Sequence, residues 1–482
     1  MKQLPSISTV LLISIQIVQS ATHPLKSGDD LESLIESGKL APGDVIIWEN
    51  GEYSDQEVNI SDVHGTETQP ITIRAAKPGG VILRGESQFC IGANWWVVEG
   101  FHFDGGDEKT NAYNAVQFRG SNGIGAQHSK LTGCAMTNLN AEEESSKWVQ
   151  IYGRHNTVEY CQFSGKKSKG ALITVELGYL EDSETAGHRI ALNHFSDFTF
   201  QEGSDNETIR VGFSGDQNKP STCVIERNYF YRCDGENEII SNKSSFNIYR
   251  HNTFHKCNGA LVLRHGHHAR VEGNYFIGDG AENAGGIRIS DSHHVIVNNY
   301  LHGLNGLTWN AAFSILGGKK PSGGKDNGYQ AVDGISVAHN SIINCERSFF
   351  LSKAKGKYTP SGLIANNLIV SSHGPLITAE LSTDKLMWKG NLLHGAPIGT
   401  KVPAITTDPV MEKSGDRLIP GSSGSAVGAA AKIDLTVASD VTGQIRPLTA
   451  LDIGADEISG ASGSPTLFQL SASDVGVKFL QP

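Results

Sequence analysis

A chain of 482 residues with 51 acidic and 40 basic side chains carries a formal charge of −11, which gives no general attraction to nucleic acid or other polyanions. Charged residues make up only 19% and glycine totals 55, a composition that suits many tight turns between short strands. An anionic partner would have to be drawn by a local basic patch or by a bound metal.

In chain order, the first segment reads as an export signal. Lys2 supplies the positive start, Val10 to Val18 is a short apolar run, and Val18-Gln19-Ser20-Ala21 offers small residues for cleavage. Residues 1–20 are therefore expected to be removed and the protein to be secreted or periplasmic. The run is too short for a membrane span, and no later stretch is long enough for one. Ser27 to Gly38 predicts a short amphipathic helix with Leu31, Leu34 and Ile35 on one face, placed to cap the strands that follow. Ile71-Thr72-Ile73-Arg74 and Trp95-Trp96-Val97-Val98 are expected to be early strands.

From about residue 188 a string recurs: apolar-x-apolar-x-x-Asn-x-apolar. It is clear in Cys223-Val224-Ile225-Glu226-Arg227-Asn228-Tyr229-Phe230 and in Ala269-Arg270-Val271-Glu272-Gly273-Asn274-Tyr275-Phe276. Its asparagines are Asn193, Asn228, Asn252, Asn274, Asn299, Asn340, Asn367 and Asn391, at intervals of 35, 24, 22, 25, 41, 27 and 24 residues. A period near two dozen, with two-residue alternation inside each copy, predicts a right-handed single-stranded parallel β-helix over residues 21–400. Leucine-rich, propeller and helical solenoids fit neither the period nor the alternation. Each Asn is expected at a left-handed turn, stacked on its neighbours as an internal amide ladder. The long intervals are read as rungs carrying inserted loops. Cys134 and Cys161 occupy the Asn slot in earlier copies, and Cys233, Cys257 and Cys345 each follow their Asn by five residues. Buried thiol stacking is the preferred reading, and Cys233–Cys257 is the best disulfide candidate. Residues 401–482 are rich in Gly, Ser and Ala and read as an outer covering, with a loosely ordered tail after Glu457.

The chemistry concentrates between Asp205 and Arg288. Glu236 and Glu238 share one side of a strand by period two and precede Lys243 on the same rung. Lys243, Arg264 and Arg288 lie nine, ten and eleven residues before the next Asn, which puts them on nearly one face of three successive rungs. A carboxylate pair beside a lysine suits a metal better than it suits the two carboxyls of a pectinase-type glycoside hydrolase. A non-catalytic carbohydrate-binding β-helix would not need the cations to align. The adjacent pairs His267-His268 and His293-His294 are expected to point to opposite strand faces, so zinc is not expected there.

The strings Asn206-Glu207-Thr208-Ile209-Arg210, Glu236-x-Glu238-Ile239-Ile240-x-x-Lys243-Ser244, Leu263-Arg264-His265-Gly266 and Gly285-Gly286-Ile287-Arg288-Ile289 resemble polysaccharide lyase family 6, the alginate lyase and chondroitinase B family. That resemblance implies β-elimination on a uronic-acid polymer, alginate first and chondroitin or dermatan sulfate second. It implies Lys243 as general base, Arg264 as general acid, and Ca²⁺ held by Glu236, Glu238 and Asn206, with Asp205 as the alternative third ligand. Arg288, Arg210 and His265 are the expected substrate contacts. The chemistry is consistent: two Glu and an Asn carbonyl are hard oxygen donors for Ca²⁺. Neutralising the uronate carboxylate lets the charge that develops on proton removal be stabilised. Arginine holds its proton tightly, so charge stabilisation at the leaving oxygen is its more secure role.

Overall fold

A computed structural model describes residues 20–106, 114–140, 145–199, 202–321 and 328–481, so the export signal expected at residues 1–20 lies outside the described residues except for Ser20. Short strands from Thr22 to Gly395 form three long sheets of 14, 12 and 13 strands. Apart from the first strand, Thr22–Leu25, which pairs with the next, Val45–Trp48, the strands pair in parallel with those three places along the chain, for example Ile225 with Tyr249 and Tyr249 with Val271. Three strands thus make one turn, and the chain coils as a parallel β-helix. No described helix is long and apolar enough to cross a membrane.

The helix spans Gly28–Glu36, and the Ser27 side chain accepts a hydrogen bond from the Asp30 N–H at 3.2 Å. Asp29 and Asp30 in its first turn complement the positive end of the helix dipole. Buried Leu31 joins the core that runs the length of the coil, so the helix closes the first rung.

The interior is built from stacked like residues. Phe163, Phe195, Phe230, Phe254 and Phe276, each two places after the Asn slot, stack with centroid separations of 5.0, 4.8, 4.7 and 4.6 Å. The amide ladder runs unbroken from Asn193 to Asn391, each Nδ2 donating to the next Oδ1 at 2.9–3.0 Å. Each Oδ1 also accepts the previous Asn backbone N–H, as Asn274 does from Asn252 at 3.0 Å. Cys161 continues the ladder in reduced form, donating its N–H to Asn193 Oδ1. The left-handed residue is not the Asn but the one before it: Leu192, Arg227, His251, Asn298, His339 and Asn366 have φ of 51–58°. The Asn is thereby free to point inward. All seven cysteines are free and buried, Cys233 and Cys257 included.

After Gly395 the chain turns back along the outside of the coil. Ala426, Val441, Ile453 and Ala455 pack on Tyr275, Tyr300, Leu368 and Leu392. Buried Arg446 donates to Glu457 at 2.6 Å and to Asn298 Oδ1 at 3.0 Å, which locks the strap to the rungs. The segment after Glu457 is held rather than loose, because it still has apolar anchors to bury. Leu470 and Val475 cover Tyr229, and Gly476 N–H bonds Leu192 O.

Burial keeps several imidazoles neutral: His188, His265, His294 and His339 are pushed down to about 3, and His251 to about 4. Below the ordinary value of about 6.5, the unfolded chain binds protons that the folded chain refuses. Stability from these groups is therefore complete above that value and is lost as pH falls towards 3. Thermal unfolding followed from pH 7 to pH 4 is expected to show a steadily falling midpoint, and His294→Gln is expected to flatten the fall.

Candidate active site

The site lies on the outer face of the 12-stranded sheet, on strands Glu238–Lys243, Gly259–His265 and Ala284–Ile289, which are successive rungs. Ser241, Val262 and Arg288 stand in register. Lys243 pairs with His265, and the register shifts between Asn242 and Lys243, so Arg264 is the extra residue of a bulge. A bulge of this kind bends the strand and re-aims a side chain. Here it brings Arg264 out beside Lys243's rung while His265 turns in.

Three carboxylates converge. Glu207, Glu236 and Glu238 each present an oxygen within 4.8 Å of the others. Glu207 is buried, and its Oε2 has no hydrogen-bond partner. Its other oxygen accepts from Lys243 Nζ at 3.0 Å. Burial, then the charges of Glu207 and Glu238, push the Glu236 carboxyl up to about 8. Such a cluster is costly unless a cation or protons neutralise it, and an oxygen-only donor set fits a hard divalent ion. Gly235 makes the convergence possible: a Cβ there would stand 2.3 Å from the Asn206 carbonyl oxygen. The two rungs touch backbone to backbone at that point.

Cations surround Glu238. Arg288 Nη1 lies 3.4 Å and Arg264 Nε 4.0 Å from its Oε1, and Ser241 Oγ donates to its other oxygen at 2.5 Å. Arg288 is otherwise held by Trp309 O at 3.1 Å and Asn310 Oδ1 at 3.0 Å. Arg264 lies over the Tyr329 ring at 3.7 Å, and its Nη1 has no partner.

The residues singled out from sequence are not all placed alike. Lys243, Arg264, Arg288, Glu236 and Glu238 come together. Asn206 is wholly buried and its Oδ1 accepts from Gly170 N–H at 3.0 Å, so that oxygen is already engaged. Asp205 pairs with Arg210 at 2.7 Å. Arg210 itself is buried beneath Phe213, at 4.1 Å from its ring, and holds the acidic segment rather than facing the groove. His265 is fully buried with both ring nitrogens unpartnered, which corrects its expected role as a substrate contact. Turning inward out of the bulge, it packs behind Arg264. Glu207 was missed as a site residue, although it stands next to Asn206 in a motif already singled out. Trp309 and Tyr329 were missed because they lie in the insertion of the 41-residue interval. His267 and His268 also depart from expectation. They lie in a turn, where His268 has φ 56°, and their Nδ1 atoms meet at 2.8 Å.

The family model described as Chondroitinase B matches residues 25–418. The chain belongs to the chondroitinase B family. The alginate lyases and chondroitinase B grouped as polysaccharide lyase family 6 are the relatives that its motifs resemble. Among solved structures, the alginate lyase AlyGC of that family is 30% identical, with a TM-score of 0.81 over 95% of this chain. This chain spans 59% of the length of AlyGC. A mannuronic acid-specific family 6 lyase from human gut microbiota is 25% identical, with a TM-score of 0.68 over 78% of this chain and 86% of that one. A comparison with curated protein sequences returned no match.

Proposed function

We propose that this protein is a secreted lyase that cleaves a uronic-acid polymer, alginate first, by metal-assisted β-elimination. The observation that carries this reading is the convergence of Lys243, the three-carboxylate cluster, Arg264 and Arg288 on one outer face of three successive rungs. Alginate is favoured because the relatives at 30% and 25% identity are described as an alginate lyase and a mannuronic acid-specific lyase. A glycosaminoglycan such as dermatan sulfate is the alternative, since the matching family model is that of chondroitinase B.

Glu207, Glu236 and Glu238 would hold the metal, with Ca²⁺ the ion best suited to their oxygens. Bound there, it would neutralise the uronate carboxylate and so stabilise the charge that develops beside it. Lys243 is the base. Its unprotonated amine takes the proton from the carbon next to the carboxylate, and the freed electron pair forms the new carbon–carbon double bond. The glycosidic carbon–oxygen bond breaks and its electrons leave with the oxygen. Arg264, with an uncommitted Nη1, stabilises that leaving oxygen or donates to it. Arg288, braced by Trp309 and Asn310, orients the neighbouring carboxylate.

The test is to incubate the protein with alginate, dermatan sulfate and a neutral glucan, and to follow the ultraviolet absorbance of unsaturated uronate. Absorbance is expected to rise with alginate, to be lost on chelation and to return with added Ca²⁺. Absence of signal with every uronic-acid polymer would sink the reading. Activity that survives exhaustive chelation would remove the metal from it.

A further inference from the structure

Beyond Arg288 the outer face opens into a cleft of about 1020 Å³ lined by Lys319, Lys353, Lys357 and Tyr358 together with Gly318 and Gly356. A Cβ on Gly356 would stand 1.5 Å from the Gly318 carbonyl oxygen. The two segments therefore meet backbone to backbone, and no side chain can stand between them. Lys355, flanked by the cleft residues Ala354 and Gly356, reaches from the cleft to two rings of the site. Lys355 Nζ lies 4.0 Å from the Trp309 centroid and 5.1 Å from that of Tyr329. The same rings carry Arg288 at 5.5 Å and Arg264 at 3.7 Å.

The charge here is uncompensated. Among the described residues, no carboxylate forms an ion pair with Lys319, Lys353, Lys355 or Lys357, although the chain as a whole is acidic. Glu380 accepts the backbone N–H of Lys353 at 3.0 Å and forms no ion pair with these four ammonium groups. Burial, and then the charges of Arg264, Lys319 and Arg288, hold the Lys355 ammonium below its ordinary range. Four cations gathered without counter-ions repel one another, and an anion entering the cleft would relieve that repulsion. Rungs lie about 4.8 Å apart, comparable to the length of one pyranose unit. A chain lying along the coil would therefore advance about one sugar per rung and carry carboxylates past the site to these lysines.

The geometry points to a distal anion subsite: Lys319, Lys353, Lys355 and Lys357 bind carboxylates of the uronate chain beyond the one oriented by Arg288. This assignment rests on the proposed lyase reading for the identity of the chain, but its binding test does not depend on turnover. Lys353→Gln/Lys357→Gln and the charge-preserving Lys353→Arg/Lys357→Arg would be run with the parent protein through gels containing alginate, dermatan sulfate or neutral dextran. Two partly exposed charge contacts are together worth about a fivefold change in affinity. Alginate is expected to retard the parent and the Arg variant alike and to retard the Gln variant about fivefold less, with no retardation in dextran. Where turnover is seen, the loss of kcat/KM in the Gln variant is expected to grow with oligosaccharide length. Equal retardation of the Gln variant and the parent by alginate overturns the subsite, whatever the activity. Stronger lysine-dependent retardation by dermatan sulfate than by alginate overturns the uronate assignment. Lysine-dependent retardation by alginate in a protein with no lyase activity upholds the subsite and sinks the lyase reading instead. Should the Gln variant fold poorly by circular dichroism, Lys319→Glu supplies the same comparison from the opposite wall.

Discussion

Lys243→Ala is expected to lower kcat on alginate by about 10²–10⁴-fold, the range that a positioned base contributes. KM should change little, since Arg288, the proposed carboxylate contact, remains. The substitution also removes the only cation among the described residues within hydrogen-bonding distance of Glu207, at 3.0 Å. Three carboxylates would then share the cluster with less compensation, so metal affinity is expected to rise even as turnover falls. Calorimetric titration of Ca²⁺ into parent and variant, alongside initial rates, separates the two effects. A variant with near-parent kcat would dismiss Lys243 as the base. A variant with lost activity and weakened metal binding would show that its role is to hold the cluster.

Asn274→Ala is expected to cost more stability than any single substitution on the coil's surface. Asn274 Nδ2 donates to Asn299 Oδ1 at 2.9 Å and to Tyr249 O at 2.9 Å, while its Oδ1 accepts the Asn252 N–H and Nδ2, both at 3.0 Å. Alanine leaves the buried Asn252 N–H without a partner and removes three further hydrogen bonds, although Asn299 Oδ1 keeps the Asn274 N–H and Asn252 Nδ2 keeps Ile225 O. The orphaned N–H costs about 1–3 kcal/mol and each other lost bond about 0.5–1.5 kcal/mol, so the total is expected to exceed about 3 kcal/mol. Leu and Asp fail for different reasons. Leu supplies no hydrogen bonds, and Asp cannot donate to Asn299. Denaturant unfolding would measure the loss, and a drop under about 1 kcal/mol would mean that water had replaced the amide.

The coil itself was legible because one interval governs it. Asn193 to Asn391 mark the same corner of eight successive rungs, so the spacing that defines the repeat also defines the ladder. Lys243, Arg264, Arg288, Glu236 and Glu238 were legible for the same reason, since counting back from the next Asn places them. What was hidden depends on features that counting does not carry. The bulge at Arg264 turns His265 inward, and nothing in Leu263-Arg264-His265-Gly266 announces a register shift. Glu207 enters the cluster only because Gly235 lets two rungs touch. Trp309 and Tyr329 come from an inserted loop whose path the repeat does not constrain. The left-handed corner was assigned one residue late, because the Asn was credited with the turn that its predecessor makes.

The strap that runs back along the coil changes how the molecule should come apart. A solenoid whose rungs touch only their neighbours behaves as a linear array that can fray from either end. Here Leu470 N–H bonds Thr253 Oγ1 across 217 residues, and Tyr275 donates to Val441 O across 166. Losing a terminal rung therefore also strips contacts from the middle of the array. Unfolding should be more nearly all-or-none than the repeat architecture alone would allow, at the expense of slower folding through such distant pairings. For a site that spans three rungs, this keeps those rungs in mutual register for as long as any part of the coil stands.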